Sequence, residues 1–126
     1  MRLTEEEYRA LTGTPPAKSK YHNQKIEYNG ETFDSKKEYE YYLILKDRER
    51  RGEISDLERQ KTFIIQEAFV SKTGEKIRAI TYKADFTYYD RTLKEWKVID
   101  VKGMKTDVYK LKKKLLAYRG VIIEEV

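Results

Sequence analysis

Two aspartates and a lysine stand in segments that otherwise have the composition of buried β-strands. Asp85 lies in Tyr-Lys-Ala-Asp-Phe, and Asp100 lies in Val-Ile-Asp-Val-Lys, which ends at Lys102. Aspartate is depleted in strands, so two of them beside apolar residues need an explanation. Carboxylate oxygens bind Mg²⁺, and a neighbouring lysine can orient or deprotonate a water molecule or stabilise negative charge. These residue types therefore suit metal-assisted hydrolysis of a phosphodiester bond.

The spacing of the two segments predicts how they pair. A hairpin with its turn centred between residues 92 and 93 places Tyr89 opposite Trp96 and Asp85 opposite Asp100. Residues directly opposite share a face of the sheet, and two opposed carboxylates repel each other unless a divalent cation lies between them. In a regular strand the lysine two residues further on shares that face. A slip of one residue would separate the two carboxylates.

The competing interpretation of the same residues is a pair of surface ion pairs. In that interpretation Asp85 and Asp100 are neutralised by Lys83 and Lys102, and no metal ion is involved.

Capping and turn signals predict the elements that precede these strands. Asn29-Gly30 predicts a two-residue type I′ hairpin. Ser35 and Glu38 form a capping box, after which a helix is expected to run to about Arg51 and to stop at Gly52. The side chains expected to form the buried side of this helix are Tyr39, Tyr42, Leu43 and Leu45.

The remainder of the chain alternates between strand and helix signals. β-branched and aromatic residues predict three antiparallel strands over residues 62–70, 77–89 and 95–101. A helix is expected from about residue 106 to 119, followed by a short strand over residues 121–123. The apolar stripe predicted for that helix consists of Val108, Leu111, Leu115 and Tyr118. The order α-β-β-β-α-β predicts an α/β (α+β) domain with a mixed central sheet.

The first part of the chain differs in composition from the rest. A capping box at Thr4 and Glu7 predicts a short helix over residues 4–11, and the segment after it is basic and almost free of apolar residues. We therefore expect residues 1–23 to form a helix and a flexible basic arm, and residues 24–126 to form one domain. A lone histidine, His22, is expected to be neither a ligand nor a catalyst.

The overall composition limits the class of protein. The 126 residues carry a net charge of +5, which permits a polyanionic partner without requiring one. The absence of cysteine excludes disulfides, zinc–thiolate sites and cysteine nucleophiles. No apolar stretch approaches the ~20 residues of a membrane span, and the first residues lack a signal-peptide pattern. We expect a protein of the cytoplasm that does not bind a membrane.

The arrangement of these residues resembles a known superfamily. Glu38 on the first helix, Asp85 on the second strand and Asp100-Val101-Lys102 on the third resemble the motif of the PD-(D/E)XK nucleases. The segments FDSKKEYEYY, RAITYKADF and DVKG, with a lysine-rich helix after them, are similar to a family of small phage and prophage proteins placed in that superfamily. The resemblance implies a restriction-endonuclease-like fold.

The resemblance also implies a role for each residue of the motif. Asp85 and Asp100 would bind Mg²⁺ together with the backbone carbonyl of Val101, and Glu38 would complete the site. Mn²⁺ is expected to substitute for Mg²⁺. Lys102 would act on the attacking water. Ala84 stands where the nominal motif has proline, and Gln60 matches a glutamine that is common in the closer family.

The helix carboxylate has two further interpretations. Glu38 occupies the position of a capping-box residue, so it could act only on the end of its own helix. Glu40 is the alternative carboxylate, but it points about 200° away around the helix, towards water.

Lysines on the arm and on the last helix are the expected contacts to the DNA backbone, although a charge run is commonly a solvated face. They are Lys18, Lys20, Lys25, Lys105, Lys110, Lys113 and Lys114. We expect no separate recognition domain, and this favours structure-selective or nonspecific cleavage.

The sequence thus predicts a magnesium-dependent DNA endonuclease or nickase that is encoded by a phage and acts in the host cytoplasm. Other replication or packaging proteins of the phage are possible partners. One alternative is a Holliday-junction resolvase, which requires a homodimer to cut two strands symmetrically. An alternative of another class is a noncatalytic DNA-binding accessory protein with a nuclease-like fold.

Overall fold

A computed structural model describes residues 25–102 and 105–126 of the chain. The helix predicted over residues 4–11, most of the basic arm and His22 lie outside the described residues. The chain divides into two compact units, Met1–Glu40 and Tyr41–Val126. The predicted division between residues 23 and 24 stays a prediction.

The first unit contains the predicted hairpin. Strands β1 (Ile26–Tyr28) and β2 (Glu31–Phe33) pair antiparallel. Asn29 and Gly30 between them have φ angles of 51° and 80°. A type I′ turn requires positive φ at both positions, so the hairpin and its turn type are confirmed.

Helix α1 (Lys36–Arg50) begins and ends where its capping signals predict. The backbone N–H of Glu38 donates to Ser35 Oγ at 3.1 Å, which satisfies one of the free donors of the first turn. At the other end Gly52 adopts a φ of 79°, and the N–H of Glu53 donates to the carbonyl of Arg48. This left-handed residue closes the helix.

The buried side of α1 differs in part from its prediction. Leu45 is fully buried, but Leu43 is 41% exposed. Tyr42, as predicted, and Tyr41, which was not predicted, pack against Phe86 with ring centroids 6.2 and 5.8 Å away. The prediction for Leu43 was wrong because the two tyrosines and Leu45 already cover the side of the helix that meets the sheet.

A four-stranded mixed sheet forms the centre of the second unit. Its strands are β3 (Ile54–Gln66), β6 (Ile80–Asp90), β7 (Glu95–Asp100) and β8 (Ile123–Glu125). They are arranged in the order β3-β6-β7-β8, with antiparallel pairs up to β7 and a parallel pair between β7 and β8. A small hairpin of β4 (Phe69–Val70) and β5 (Lys76–Ile77) interrupts the connection from β3 to β6. With helix α2 (Asp107–Tyr118), the α-β-β-β-α-β order of the mixed α/β fold is confirmed.

Strand β3 begins eight residues before its predicted start at residue 62. The first half of the strand was not predicted, because charged residues such as Glu58 and Lys61 break its apolar pattern. They are exposed in the structure, and β3 lies at the edge of the sheet. An edge strand tolerates charges that a central strand would not.

Two apolar clusters pack on the sheet. The cluster beside α1 consists of Leu45, Ile54, Phe86, Tyr88, Ile99 and Val101. The cluster beside α2 consists of Ile65, Tyr82, Ala84, Val98, Tyr109, Leu116 and Ile123. Adjacent residues of β7, Val98 and Ile99, belong to different clusters, so the two clusters lie on opposite faces of the sheet.

Helix α2 turns a different face to the sheet than the sequence predicts. Its N-cap is Thr106, whose Oγ1 accepts from the N–H of Tyr109. Tyr109 and Leu116 are its buried residues, one heptad apart. The predicted stripe was wrong, since only one of its members, Leu115, packs against the cluster. The other three are exposed: Val108 at 62%, Leu111 at 56% and Tyr118 at 92%.

The two faces of α2 can be compared by truncating one leucine on each. Leu116→Ala should lower the free energy of unfolding by about 2–5 kcal/mol, because it leaves a cavity at a buried position. Leu111→Ala on the exposed face should change it by about 0.5 kcal/mol or less. Urea titrations followed by circular dichroism measure both values. Equal losses in the two variants would contradict the observed orientation of the helix.

Candidate active site

The pairing of β6 with β7 follows the predicted register. Tyr89 lies opposite Trp96, and their rings form an edge-to-face pair with centroids 5.3 Å apart. The ladder is observed as far as Phe86 opposite Ile99, one position before Asp85 and Asp100. The predicted register is confirmed over these pairs, and the direct opposition of Asp85 and Asp100 stays a prediction.

The residues of β6 before Asp85 and those after it contribute to different apolar clusters. Tyr82 and Ala84 belong to the cluster beside α2, whereas Phe86 and Tyr88 belong to the cluster beside α1. Alternate residues of a regular strand would share one face, so the strand is irregular between Ala84 and Phe86.

The neighbouring strand is irregular at the same level. In β3, Arg59 pairs with Phe86 and Lys61 pairs with Ala84, which leaves Gln60 at the position opposite Asp85. Gln60 has a φ of 54°. A left-handed residue inside a strand is unfavourable, and such irregularities are common beside active sites. Gln60 lies in the middle of β3, two residues before the start predicted for this strand, and next to the candidate site.

The Asp85 carboxylate lies beside the peptide bond that follows Asp100. The backbone N–H of Val101 donates to Asp85 Oδ2 at 2.8 Å. This side chain thus bonds to β7 where the regular ladder ends. Asp85 and Asp100 are both only partly exposed, and the negative charges of both carboxylates act on the Tyr82 hydroxyl at this end of the sheet.

A buried tyrosine fixes the second carboxylate. The Tyr82 hydroxyl donates to Asp100 Oδ2 at 2.5 Å. Burial, this hydrogen bond and the negative charge of Asp100 raise the pKa of Tyr82 above its usual value. Tyr82 therefore remains a neutral hydrogen-bond donor, and Asp100 has a defined orientation.

Lys102 lies outside the strand. Strand β7 ends at Asp100, and Lys102 is exposed with a φ of 62°. Its N–H donates to the carbonyl of Val126 at 3.0 Å, which anchors the turn. Strand alternation therefore does not apply at Lys102, and the expected position of its side chain beside Asp100 stays a prediction. A lysine held in the left-handed region costs conformational energy, and such residues cluster at functional sites.

Glu38 belongs to the first unit, where it completes the capping box. Its Oε1 accepts from the N–H of Asp34 at 2.9 Å, and its own N–H donates to Ser35. The side chain is buried, whereas Glu40 is exposed. The interpretation of Glu38 as a residue that caps the start of its own helix is therefore confirmed. Its further role as a ligand or a water-orienting group stays a prediction.

Next to Asp100, on β8, lies a carboxylate that the sequence analysis did not identify. Glu125 pairs with Asp100 in register and accepts hydrogen bonds from Lys105 Nζ at 2.7 Å and the Tyr109 hydroxyl at 2.7 Å. Lys113 Nζ lies 3.1 Å away. These three donors lower the pKa of Glu125 to about 2. The parallel pairing of its strand, β8, with β7 could not be inferred from residue spacing, because a whole helix connects the two strands.

The predicted DNA contacts on α2 lie together. Lys110, Lys113 and Lys114, with Lys105 before the helix, surround an open cavity of about 320 Å³. Lys25 is exposed in the first unit, and Lys18 and Lys20 lie outside the described residues. The charge of this helix is thus concentrated beside the end of β8.

Two absences concern only the part of the chain that the structure describes. Within residues 25–102 and 105–126, no group of three or more histidine, cysteine or acidic side chains is placed to hold a metal ion. No helix in the same residues is long and apolar enough to cross a membrane.

Comparison with known proteins identifies the family. No curated protein and no solved structure matches the chain. A family model described as a protein of unknown function, DUF1064, matches residues 18–125, which includes every described element of the fold. This chain belongs to the DUF1064 family.

Proposed function

We propose that this protein is a magnesium-dependent DNA endonuclease with Asp85, Asp100 and Lys102 at its active site. The observation that carries the proposal is the position of two carboxylates at the end of the β6–β7 ladder, where Asp85 accepts from the peptide N–H after Asp100 and the charges of both carboxylates act on Tyr82. Two adjacent carboxylates would repel each other, and a cation between them removes that cost. The motif that they form with Lys102 resembles that of the PD-(D/E)XK nucleases.

The donor set fits Mg²⁺ better than a cation that needs a protein cage. Mg²⁺ keeps several water ligands and is commonly bound by one or two carboxylates. Asp85 and Asp100 supply two, and Val101 is the residue whose carbonyl would join them. When bound, Mg²⁺ would act as a Lewis acid on the phosphate and lower the pKa of a bound water.

The residues of the chain have separate tasks in this reaction. Asp85 and Asp100 would hold the cation, which would supply positive charge to the scissile phosphate. Tyr82 orients Asp100 through its hydroxyl. Lys102 would take a proton from the attacking water as the water oxygen bonds to phosphorus, while the P–O bond to the sugar breaks and the departing sugar oxygen takes a proton from solvent. As a cation, Lys102 would instead orient the water and stabilise the developing charge.

The basic charge of the protein supports a nucleic-acid substrate. The net charge is +5, and four lysines surround one cavity near Asp100. Cations of this kind bind the phosphate backbone without reading sequence. We infer structure-selective or nonspecific cleavage.

The first test is cleavage of supercoiled plasmid and of a four-way junction in Mg²⁺, Mn²⁺ and EDTA. The wild-type protein should cut in either metal and not in EDTA. Asp100→Asn should lower the rate by on the order of 100-fold or more, because loss of the cation removes several kcal/mol of transition-state stabilisation.

Asp107→Asn is the matched control, since it removes one exposed carboxylate at the start of α2. It should cut at the wild-type rate. A preference for the junction would identify a resolvase. Binding of DNA without cleavage in either metal would favour an accessory DNA-binding protein and contradict the proposal.

The second test uses two lysines that share an unfavourable backbone conformation. Lys102 and Lys94 are both exposed and have φ angles of 62° and 57°. Glycine tolerates this region, so Lys102→Gly and Lys94→Gly should each leave stability unchanged or raise it by up to about 1 kcal/mol. Only Lys102→Gly should lose plasmid cleavage, as measured beside thermal unfolding. Full activity in Lys102→Gly would exclude Lys102 from the chemistry.

A further inference from the structure

The cavity at the end of β8 holds a negative charge that belongs to the protein itself. Three donors converge on the Glu125 carboxylate: Lys105 Nζ at 2.7 Å, the Tyr109 hydroxyl at 2.7 Å and Lys113 Nζ at 3.1 Å. Both carboxylate oxygens are bonded, Oε1 to Lys105 and Oε2 to the other two. A group of donors that encloses a carboxylate is also suited to the oxygens of a phosphodiester.

The cavity carries more positive charge than Glu125 neutralises. Lys110 and Lys114 line it as well, and neither forms an ion pair with a described residue. Four lysines therefore face one carboxylate. Glu125 is 24% exposed, so its ion pairs are accessible to solvent and can exchange with another anion.

The cavity adjoins the proposed active site. Glu125 lies opposite Asp100 in the parallel pair of β7 and β8, and the Val126 N–H donates to the carbonyl of Asp100 at 3.0 Å. Neighbouring strands lie about 4.8 Å apart. A DNA strand whose scissile phosphate is at Asp100 can therefore pass close to Lys105 and Lys113.

We propose that this cavity is a phosphate-binding subsite for the DNA backbone, and that Glu125 is an internal anion which an incoming phosphate displaces. This inference rests on the proposed function for the identity of the polyanion. On binding, the phosphate takes over Lys105, Lys113 and the Tyr109 hydroxyl, while Lys110 and Lys114 add charge at the rim. Glu125 thus weakens binding to DNA, although it stabilises the free protein.

Substitutions of two adjacent glutamates, which should differ in their effect on DNA affinity, test this subsite. Glu125→Gln and Glu124→Gln each remove one negative charge from β8, but Glu124 lies outside the cavity and pairs with Lys97. Affinity for a fluorescein-labelled DNA duplex is measured by anisotropy in EDTA over a series of salt concentrations. Glu125→Gln should bind roughly three- to tenfold more tightly than Glu124→Gln, because up to two lysines become available to phosphate.

The salt dependence gives a second measure in the same experiment. The slope of log K against log salt should become steeper by about 0.9 for each lysine released in Glu125→Gln. Equal affinities and slopes in the two glutamate variants, or weaker binding by Glu125→Gln, would overturn the subsite.

A pair of lysine variants tests the same cavity if Glu125→Gln does not fold. Lys114→Gln removes a charge that lines the cavity, whereas Lys112→Gln removes one from the same helix outside it. Lys114→Gln should weaken DNA binding about threefold more than Lys112→Gln. Equal losses would overturn the proposal. Because the experiment needs neither metal nor cleavage, its failure beside intact plasmid cleavage would leave the endonuclease proposal standing.

Discussion

The hydrogen bond from the Val101 N–H to the Asp85 carboxylate connects the fold to the candidate site. It forms where the β6–β7 ladder ends and where β6 changes the cluster to which it contributes. A backbone donor at the end of a buried ladder needs a partner, and here a side-chain carboxylate of the neighbouring strand supplies it. The same bond brings Asp85 beside Asp100. Asp85 therefore meets the structural need of the sheet and would also serve the proposed chemistry.

The surroundings of the two aspartates are consistent with this arrangement. Gln60 takes a left-handed conformation at the level of Asp85, and Lys102 takes one two residues after the end of β7. Each position carries a conformational cost that the rest of the sheet must offset. Tyr82 and Tyr109 extend from the apolar cluster to Asp100 and Glu125, which gives each carboxylate a buried neutral donor. Each of these two carboxylates thus accepts a hydrogen bond from a tyrosine that belongs to the apolar cluster.

Much of this fold could be predicted from local signals. The hairpin at Asn29-Gly30, both ends of α1 and the register of β6 with β7 follow from turn chemistry, capping residues and one aromatic pair. The buried faces of the helices were harder to predict. Helix α2 has apolar residues on two sides, and only packing against the sheet decides whether Leu116 or Leu111 is buried. Lys102 was assigned by strand periodicity, which fails once the backbone turns. Glu125 was missed because a parallel neighbour is set by a crossover helix rather than by spacing.

The most direct test of the account is a titration of Mn²⁺ into the metal-free protein, followed by electron paramagnetic resonance. The account predicts that the wild-type protein binds Mn²⁺, that Mg²⁺ competes for the site, and that Asp85→Asn and Asp100→Asn each abolish or greatly weaken binding. Asp107→Asn should bind as the wild type does. Absence of binding by the wild-type protein, or unchanged binding in both aspartate variants, would contradict the claim that Asp85 and Asp100 form a metal site.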